Sequence, residues 1–266
     1  MNRLLRNLLF PPRCIGCGEL LRVPDYRREA PPLCPGCAEK WERETKELCG
    51  ICGREVRECA CATEEMTAAR IPVFRKLAYY RHGQHDPVQN RMIYRIKEAR
   101  DRRTVGFFAG LLARDLSELL EQNGWRPEDC ALVWLPRGQK KRLATGTDQA
   151  RELARAISDR TGIPAVGMIE RVPGEDREQK SLSLTGRRKN ARAAFRLAEK
   201  RKLPTSVHLI LVDDIVTTGS GMAAAARLLR REKYSCAAAV AALSDDVNRY
   251  LQEKQPVIDL AKQNKK

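Results

Sequence analysis

The sequence predicts an α/β protein: a parallel sheet flanked by helices, preceded by a small cysteine-rich segment with little core of its own. Three observations predict it. Apolar stretches such as "CALVWLP" (130–136), "VHLILVDD" (207–214) and "CAAAVAALS" (236–244) alternate with segments of helical period, the pattern of strands joined by crossover helices. One stretch, "LILVDDIVTTGSG" (209–221), ends in two adjacent carboxylates and a glycine loop, and the carboxyl ends of parallel strands are where such sheets bind ligands. Eight of the ten cysteines fall between residues 14 and 61, in closely spaced pairs.

The chain starts "MNRLLRNLLFPPRC", basic and apolar like a signal peptide. Arg6 and Asn7 interrupt the apolar stretch and no small-residue cleavage site follows, so it reads as a short amphipathic helix. No run of about 18 apolar residues occurs. The expectation is a cytoplasmic protein with no membrane insertion.

The cysteines are Cys14-x-x-Cys17, Cys34-x-x-Cys37, Cys49-x-x-Cys52 and Cys59-x-Cys61. Pairs two residues apart, in glycine-bearing knuckles such as "CIGCGE" and "CGICGRE", have zinc-ligand spacing, because the tight turn aims both sulfurs at one ion. The alternative is a redox pair or a disulfide cluster. A single redox centre needs only one pair, and a segment this short and loop-rich needs a staple in order to fold. The expected ligand sets are Cys14, Cys17, Cys34 and Cys37, then Cys49, Cys52, Cys59 and Cys61. Cys59-x-Cys61 is a cramped pair, which leaves the structural Zn²⁺ at one or two. Cys130 and Cys236 lie beside apolar strands and read as ordinary buried thiols.

Residues 1–65 thus form a zinc-binding module, 66–246 the α/β domain, and 247–266 a polar, frayed tail. Within the domain, "DPVQNRMIYRIKEAR" opens a helix with Asp86 as N-cap and Pro87 at its first position. "TVGFFAGLLARDLSELLEQN", "DQARELARAISDR" (148–160) and "GMAAAARLLRR" (221–231) are further helices, and "AVGMIERV" (165–172) is a further strand. His82 and His85 in "RHGQHD" belong to a polar loop rather than to a metal site.

Charge is divided unevenly. Residues 1–65 hold 11 basic and 11 acidic side chains, so the formal charge of +16 comes entirely from the rest of the chain. Residues 137–202 alone carry 18 basic against 8 acidic side chains. That bias attracts polyanions, whether nucleic acid or a phosphorylated small molecule, and it directs nucleic acid away from the cysteine-rich segment.

Three chemistries compete for Asp213 and Asp214. A nucleotide-hydrolase strand needs a P-loop, and no Gly-Lys dipeptide occurs in the chain. A dinucleotide fingerprint fits Gly219-x-Gly221-x-x-Ala224, but its first glycine should follow the strand almost directly, and "DDIVTT" intervenes. The third reading uses every residue. Two carboxylates can accept from the vicinal hydroxyls of a ribose, while the backbone and hydroxyls of Thr217, Thr218, Gly219 and Ser220, at a helix N-terminus, form a nest for its 5′-phosphate. Gly219 would keep that nest open.

"ILVDDIVTTGS" resembles the phosphoribosyl pyrophosphate (PRPP) motif of type I phosphoribosyltransferases. From Cys14 to about Leu243 the chain resembles the ComF family of competence proteins, which join a zinc segment to a phosphoribosyltransferase domain. "REQKSLSLTGRRKNARAAF" fits that family's mobile loop through Gln179, Leu182, Ser183, Arg187, Asn190, Ala194 and Phe195. "LPRGQKKRLATGTDQ" matches its pyrophosphate-side loop by length and by Pro136, Gly146 and Gln149. It departs at Ala144, Thr145, Thr147 and Asp148, where the family usually has two arginines, Phe and Asn. Arg137, Lys140, Lys141 and Arg142 are the cations left to face a pyrophosphate.

The resemblance implies binding of PRPP or a ribose phosphate with Mg²⁺, with Asp213 and Asp214 also the catalytic pair if transfer occurs. It further implies handling of incoming single-stranded DNA in natural transformation, alongside other DNA-uptake proteins. The alternative is a purine or pyrimidine salvage phosphoribosyltransferase, which would need neither a zinc module nor a large positive charge. Aromatic residues are 5% of the chain, so contact with a single strand would be led by phosphates rather than by stacking.

Overall fold

The computed structural model describes residues 3–22, 29–99, 101–138, 146–172, 195–198 and 203–245. Lys140, Lys141, Arg142, Ala144 and Thr145 lie outside the described residues. So do Gln179, Leu182, Ser183, Arg187, Asn190 and Ala194 of the expected mobile loop, and the tail 247–266.

The sheet is parallel throughout. Its strands are β1 (Phe74–Tyr80), β2 (Cys130–Trp134), β5 (His208–Val216) and β6 (Cys236–Asp245), in the order β1-β6-β5-β2. Two short strands, β3 (Ile169–Arg171) and β4 (Phe195–Leu197), pair antiparallel in a separate sheet. The helices are α1 (Arg3–Leu9), α2 (Pro35–Thr45), α3 (Glu64–Ala68), α4 (Val88–Ala99), α5 (Arg102–Asn123), α6 (Gln149–Thr161) and α7 (Ser220–Arg231). Among the described residues, no helix is long and apolar enough to cross a membrane.

Local chemistry explains where the helices start and stop. Asp101 caps α5 by accepting from the Arg103 and Thr104 N–H groups, and Asp148 caps α6 by accepting from Arg151 N. Gly124 and Gly162 close these two helices at φ 65° and 73°, a conformation that costs glycine nothing. Helix α4 starts later than the Asp86 cap implies, because its first carbonyl in use is that of Pro87, which accepts from Arg91 N.

Alternate residues of each strand feed two cores, as a sheet covered on both faces requires. Leu132, Ile210, Val212, Ala238 and Val240 face α4, α5 and α6. Ala131, Val133, Leu209, Leu211 and Ala239 face α3 and α7. Cys14, Ile15, Leu33, Cys37 and Trp41 of the cysteine-rich segment join the first core. The Trp41 ring meets Phe107 edge-on at 5.4 Å and Phe108 at 5.8 Å. That segment therefore buries its apolar residues against α5 instead of around a core of its own.

One strand expectation changes. "AVGMIERV" is not one strand of the main sheet. Ala165 bridges Leu132 in parallel at the edge of β2, and beyond Val166 the chain turns away to form β3. Strand β1 leads into the polar loop of His82 and His85. Arg75 and Lys76 break its apolar pattern, and both are satisfied by the cysteine-rich segment running along its open edge. Phe74 N and Arg75 Nη1 donate to the carbonyls of Ala60 and Glu58, and Lys76 Nζ to that of Cys61. An edge strand is thereby covered.

Candidate functional site

Strand β5 outlasts its neighbour. Trp134 pairs with Val212 at the end of β2, whereas β5 continues beside β6 through Asp213↔Ala241 to Val216↔Ser244. The two carboxylates therefore emerge where β2 has peeled away. From β2 the chain moves outward, through α6 to the Ala165 bridge; from β5 it moves the other way, through α7 to β6. A reversal of this kind leaves a crevice at the carboxyl ends of the strands, and Asp213 and Asp214 stand at it.

The backbone holds both carboxylates. Asp213 Oδ1 accepts from Asp214 N at 2.8 Å, and Asp214 Oδ1 accepts from Ile215 N at 2.9 Å. Asp214 Oδ2 is buried without a hydrogen-bond partner. A buried carboxylate oxygen left unmet costs about 1–3 kcal/mol or more, so a donor or cation arriving there recovers energy already spent on folding. Burial and the adjacent Asp214 push Asp213 well above the ordinary carboxylate range, and Asp148 adds to the rise.

Asp148 has a second task. Besides capping α6, it accepts from the Arg137 N–H through Oδ2 at 3.2 Å. The acid at this departure from the ComF pattern thus pins the start of the loop after β2, and that loop begins with Arg137. The Gln149 side chain beside it is buried at 2% exposure, with neither amide atom bonded.

The loop after β5 has exposed Thr217 and Thr218, buried Gly219 and half-buried Ser220. Thr218 and Ser220 share a hydroxyl–hydroxyl bond of 2.9 Å. Gly219 is the N-cap of α7 at φ 75°, with no side-chain cap of its own and no acid in the first turn, and Ser220 N donates to Thr218 Oγ1 at 3.4 Å. Gly219 is also held by tertiary packing. A Cβ there would overlap Thr63 Oγ1 and stand 2.8 Å from Met66 Cγ, so the glycine admits the start of α3. Thr63 is itself the N-cap of α3, two residues beyond Cys61.

The eight thiols gather into the two expected sets, Cys14, Cys17, Cys34 and Cys37, and Cys49, Cys52, Cys59 and Cys61, with the sulfurs of each set within 4.8 Å of one another. Cys17 and Cys34 are 3.8 Å apart at sulfur. A tetrahedron of thiolates about 2.3 Å from zinc has edges of about 3.8 Å, whereas a disulfide is about 2.05 Å long. All ten cysteines are free thiols. Gly16 N and Cys34 N both donate to Cys14 Sγ, and Cys61 N to Cys59 Sγ, the bonds that stabilise metal-bound thiolates. Cys14 and Cys49 are each lowered to about 6: burial raises them, but the backbone N–H groups turned on their sulfurs prevail. Both sets fit zinc. Cys130 and Cys236, by contrast, are buried and pushed up to about 11 and about 12, as inert thiols are.

Comparison with known proteins agrees with this division. Residues 5–69 match the model of the double zinc ribbon domain. The chain is 27% identical to competence protein F of Haemophilus influenzae over 227 residues, 82% of this chain and 91% of that protein. It is also 25% identical to DNA utilization protein YhgH of Salmonella typhimurium, over 76% of this chain and 92% of that one. The likeness to competence protein F therefore spans the ribbons and the sheet together.

Sequence reasoning named both thiol sets and the β5 loop but missed Lys76 and Thr63. Lys76 is 3% exposed, and its ammonium reaches Cys59 Sγ and the Cys61 carbonyl, each at 3.2 Å. Its signal was a pair of cations inside "VFRKLAYY", an otherwise apolar run just after the last cysteine. His82 and His85 sit in the exposed loop between β1 and α4, where His85 stacks on Tyr94 at 4.9 Å.

Proposed function

We propose that this protein binds PRPP, or another 5-phosphorylated ribose, at the crevice between β2 and β5 and serves DNA uptake in natural transformation. Asp213 and Asp214 accept from the ribose 2′- and 3′-hydroxyls. The N–H groups and hydroxyls of Thr217, Thr218, Gly219 and Ser220 hold the 5′-phosphate at the N-terminus of α7. Arg137, Lys140 and Lys141 take the pyrophosphate side together with Mg²⁺, and the segment bearing Gln179, Ser183, Arg187 and Asn190 closes over the ligand.

The observation that carries this reading is the buried Asp214 Oδ2 without a partner, in a carboxylate pair where the strand order reverses. The relatives' names, a competence protein and a DNA utilization protein, support the DNA half. The basic excess of residues 137–202 supports binding of single strands through their phosphates. If a phosphoribosyl group is transferred, the carboxylates stabilise the oxocarbenium-like centre as pyrophosphate leaves.

Calorimetric titration with PRPP and Mg²⁺, with and without single-stranded DNA, tests the proposal. PRPP should bind, and DNA binding should weaken steeply with salt. Absence of PRPP binding in the presence of Mg²⁺ overturns the ribose-phosphate site. Base-dependent release of pyrophosphate without DNA binding would instead favour the salvage reading.

A further inference from the structure

The second thiol set has a feature that the first lacks. Lys76 lies in the middle of β1, nearly sealed from solvent, and donates to Cys59 Sγ and to the Cys61 carbonyl, with its ammonium 5.2 Å from the Phe74 ring centroid. Among the described residues no carboxylate pairs with it. A buried ammonium is costly to keep unless an opposite charge compensates it. Four thiolates around a divalent zinc leave a net charge of about −2 on the centre. In the first set, Cys14 Sγ accepts from backbone N–H groups, among them those of Gly16 and Cys34, while the nearby Arg91 donates to the Gly16 carbonyl. Lys76 thus gives the second centre a buried cation bonded directly to one of its sulfurs.

We infer that Lys76 is a built-in counter-ion of the second zinc centre, Cys49, Cys52, Cys59 and Cys61, and that it slows loss of the metal from that centre. Its bond to Cys59 makes that sulfur a poorer target for protons, alkylating agents and oxidants, so the centre holds zinc longer than its exposed Cys52 would otherwise allow. The first centre packs against α4 and α5 through Ile15 and Trp41 and places no charge in a strand.

The test uses the full zinc-loaded chain and has two readouts. Zinc release is followed with a chromogenic chelator under a mild thiol alkylator, and the alkylated cysteines are mapped by mass spectrometry. In Lys76→Met, one of the two zinc equivalents should leave about tenfold or more faster, with label at Cys49–Cys61, while the other leaves as in the parent. Lys76→Arg, which keeps the charge, should return most of the parental rate. Unchanged release overturns the inference. So does equal acceleration of both equivalents, or equal acceleration by Met and Arg, since either assigns the effect to packing.

Discussion

Gly219→Ala tests how the β5 loop is built, and its cost can be worked from the geometry. Gly219 sits at φ 75°, where an L-residue pays roughly 1–2 kcal/mol. Any Cβ overlaps Thr63 Oγ1 and comes within 2.8 Å of Met66 Cγ, and overpacking of this kind costs about 1–3 kcal/mol. The total is about 2–5 kcal/mol, which lowers the melting temperature by roughly 5–15 °C. Because the clash begins at Cβ, Ala should cost nearly as much as Val. Differential scanning calorimetry of the zinc-loaded protein without ligand is the assay. Thr63→Ala alone should cost about 1 kcal/mol through loss of the α3 cap. The double variant should cost at least about 0.5 kcal/mol less than the sum of the singles, since the overlapped hydroxyl is gone. If Gly219→Ala melts within a degree or two of the parent, or the two changes simply add, Gly219 is not held by α3.

Further outcomes follow from the charges and the metal. Asp213→Asn with Asp214→Asn should weaken PRPP binding by about tenfold or more, because each charge-assisted bond to the diol contributes roughly 1.5–3 kcal/mol. The same variant should be more stable than the unliganded parent at neutral pH. Asp213 is raised in the fold, so the parent loses stability as pH climbs from the unfolded pKa through the folded one; the gain should shrink toward pH 4, as measured by melting temperature against pH. Elemental analysis of protein purified without chelator should find about two zinc per chain, one for each thiol set, and a value near zero would refute both centres. Arg57 Nη2 meets the buried Asp115 at 3.2 Å, and burial already raises Asp115 despite that partner. Arg57→Met should cost about 3–5 kcal/mol at pH 8 and less at pH 5, where Asp115 can be protonated. Urea unfolding at the two pH values checks this, and an equal loss at both would show that the pair is not the cause.

Some features of this protein depend on near neighbours in the chain, and the sequence alone determined those. Thiol pairs such as Cys14-x-x-Cys17 close on one ion through their own turn, helices α5 and α6 are capped by residues adjacent to them, and the β5 carboxylates simply follow four apolar positions. Short-range geometry of this kind survives without knowledge of the fold. Tertiary structure decided what depends on residues far apart. Why Arg75 and Lys76 can stand inside β1 is visible only when the Glu58–Cys61 segment is seen along its edge. That Gly219 also has to admit α3 is visible only once Thr63 and Met66 are seen against it. Residues 165–172 are apolar enough for the main sheet, yet only the pairing with 195–197 turns them aside. In each case a side chain's role was set by which distant group satisfies its charge or fills its space, and no local pattern carries that information.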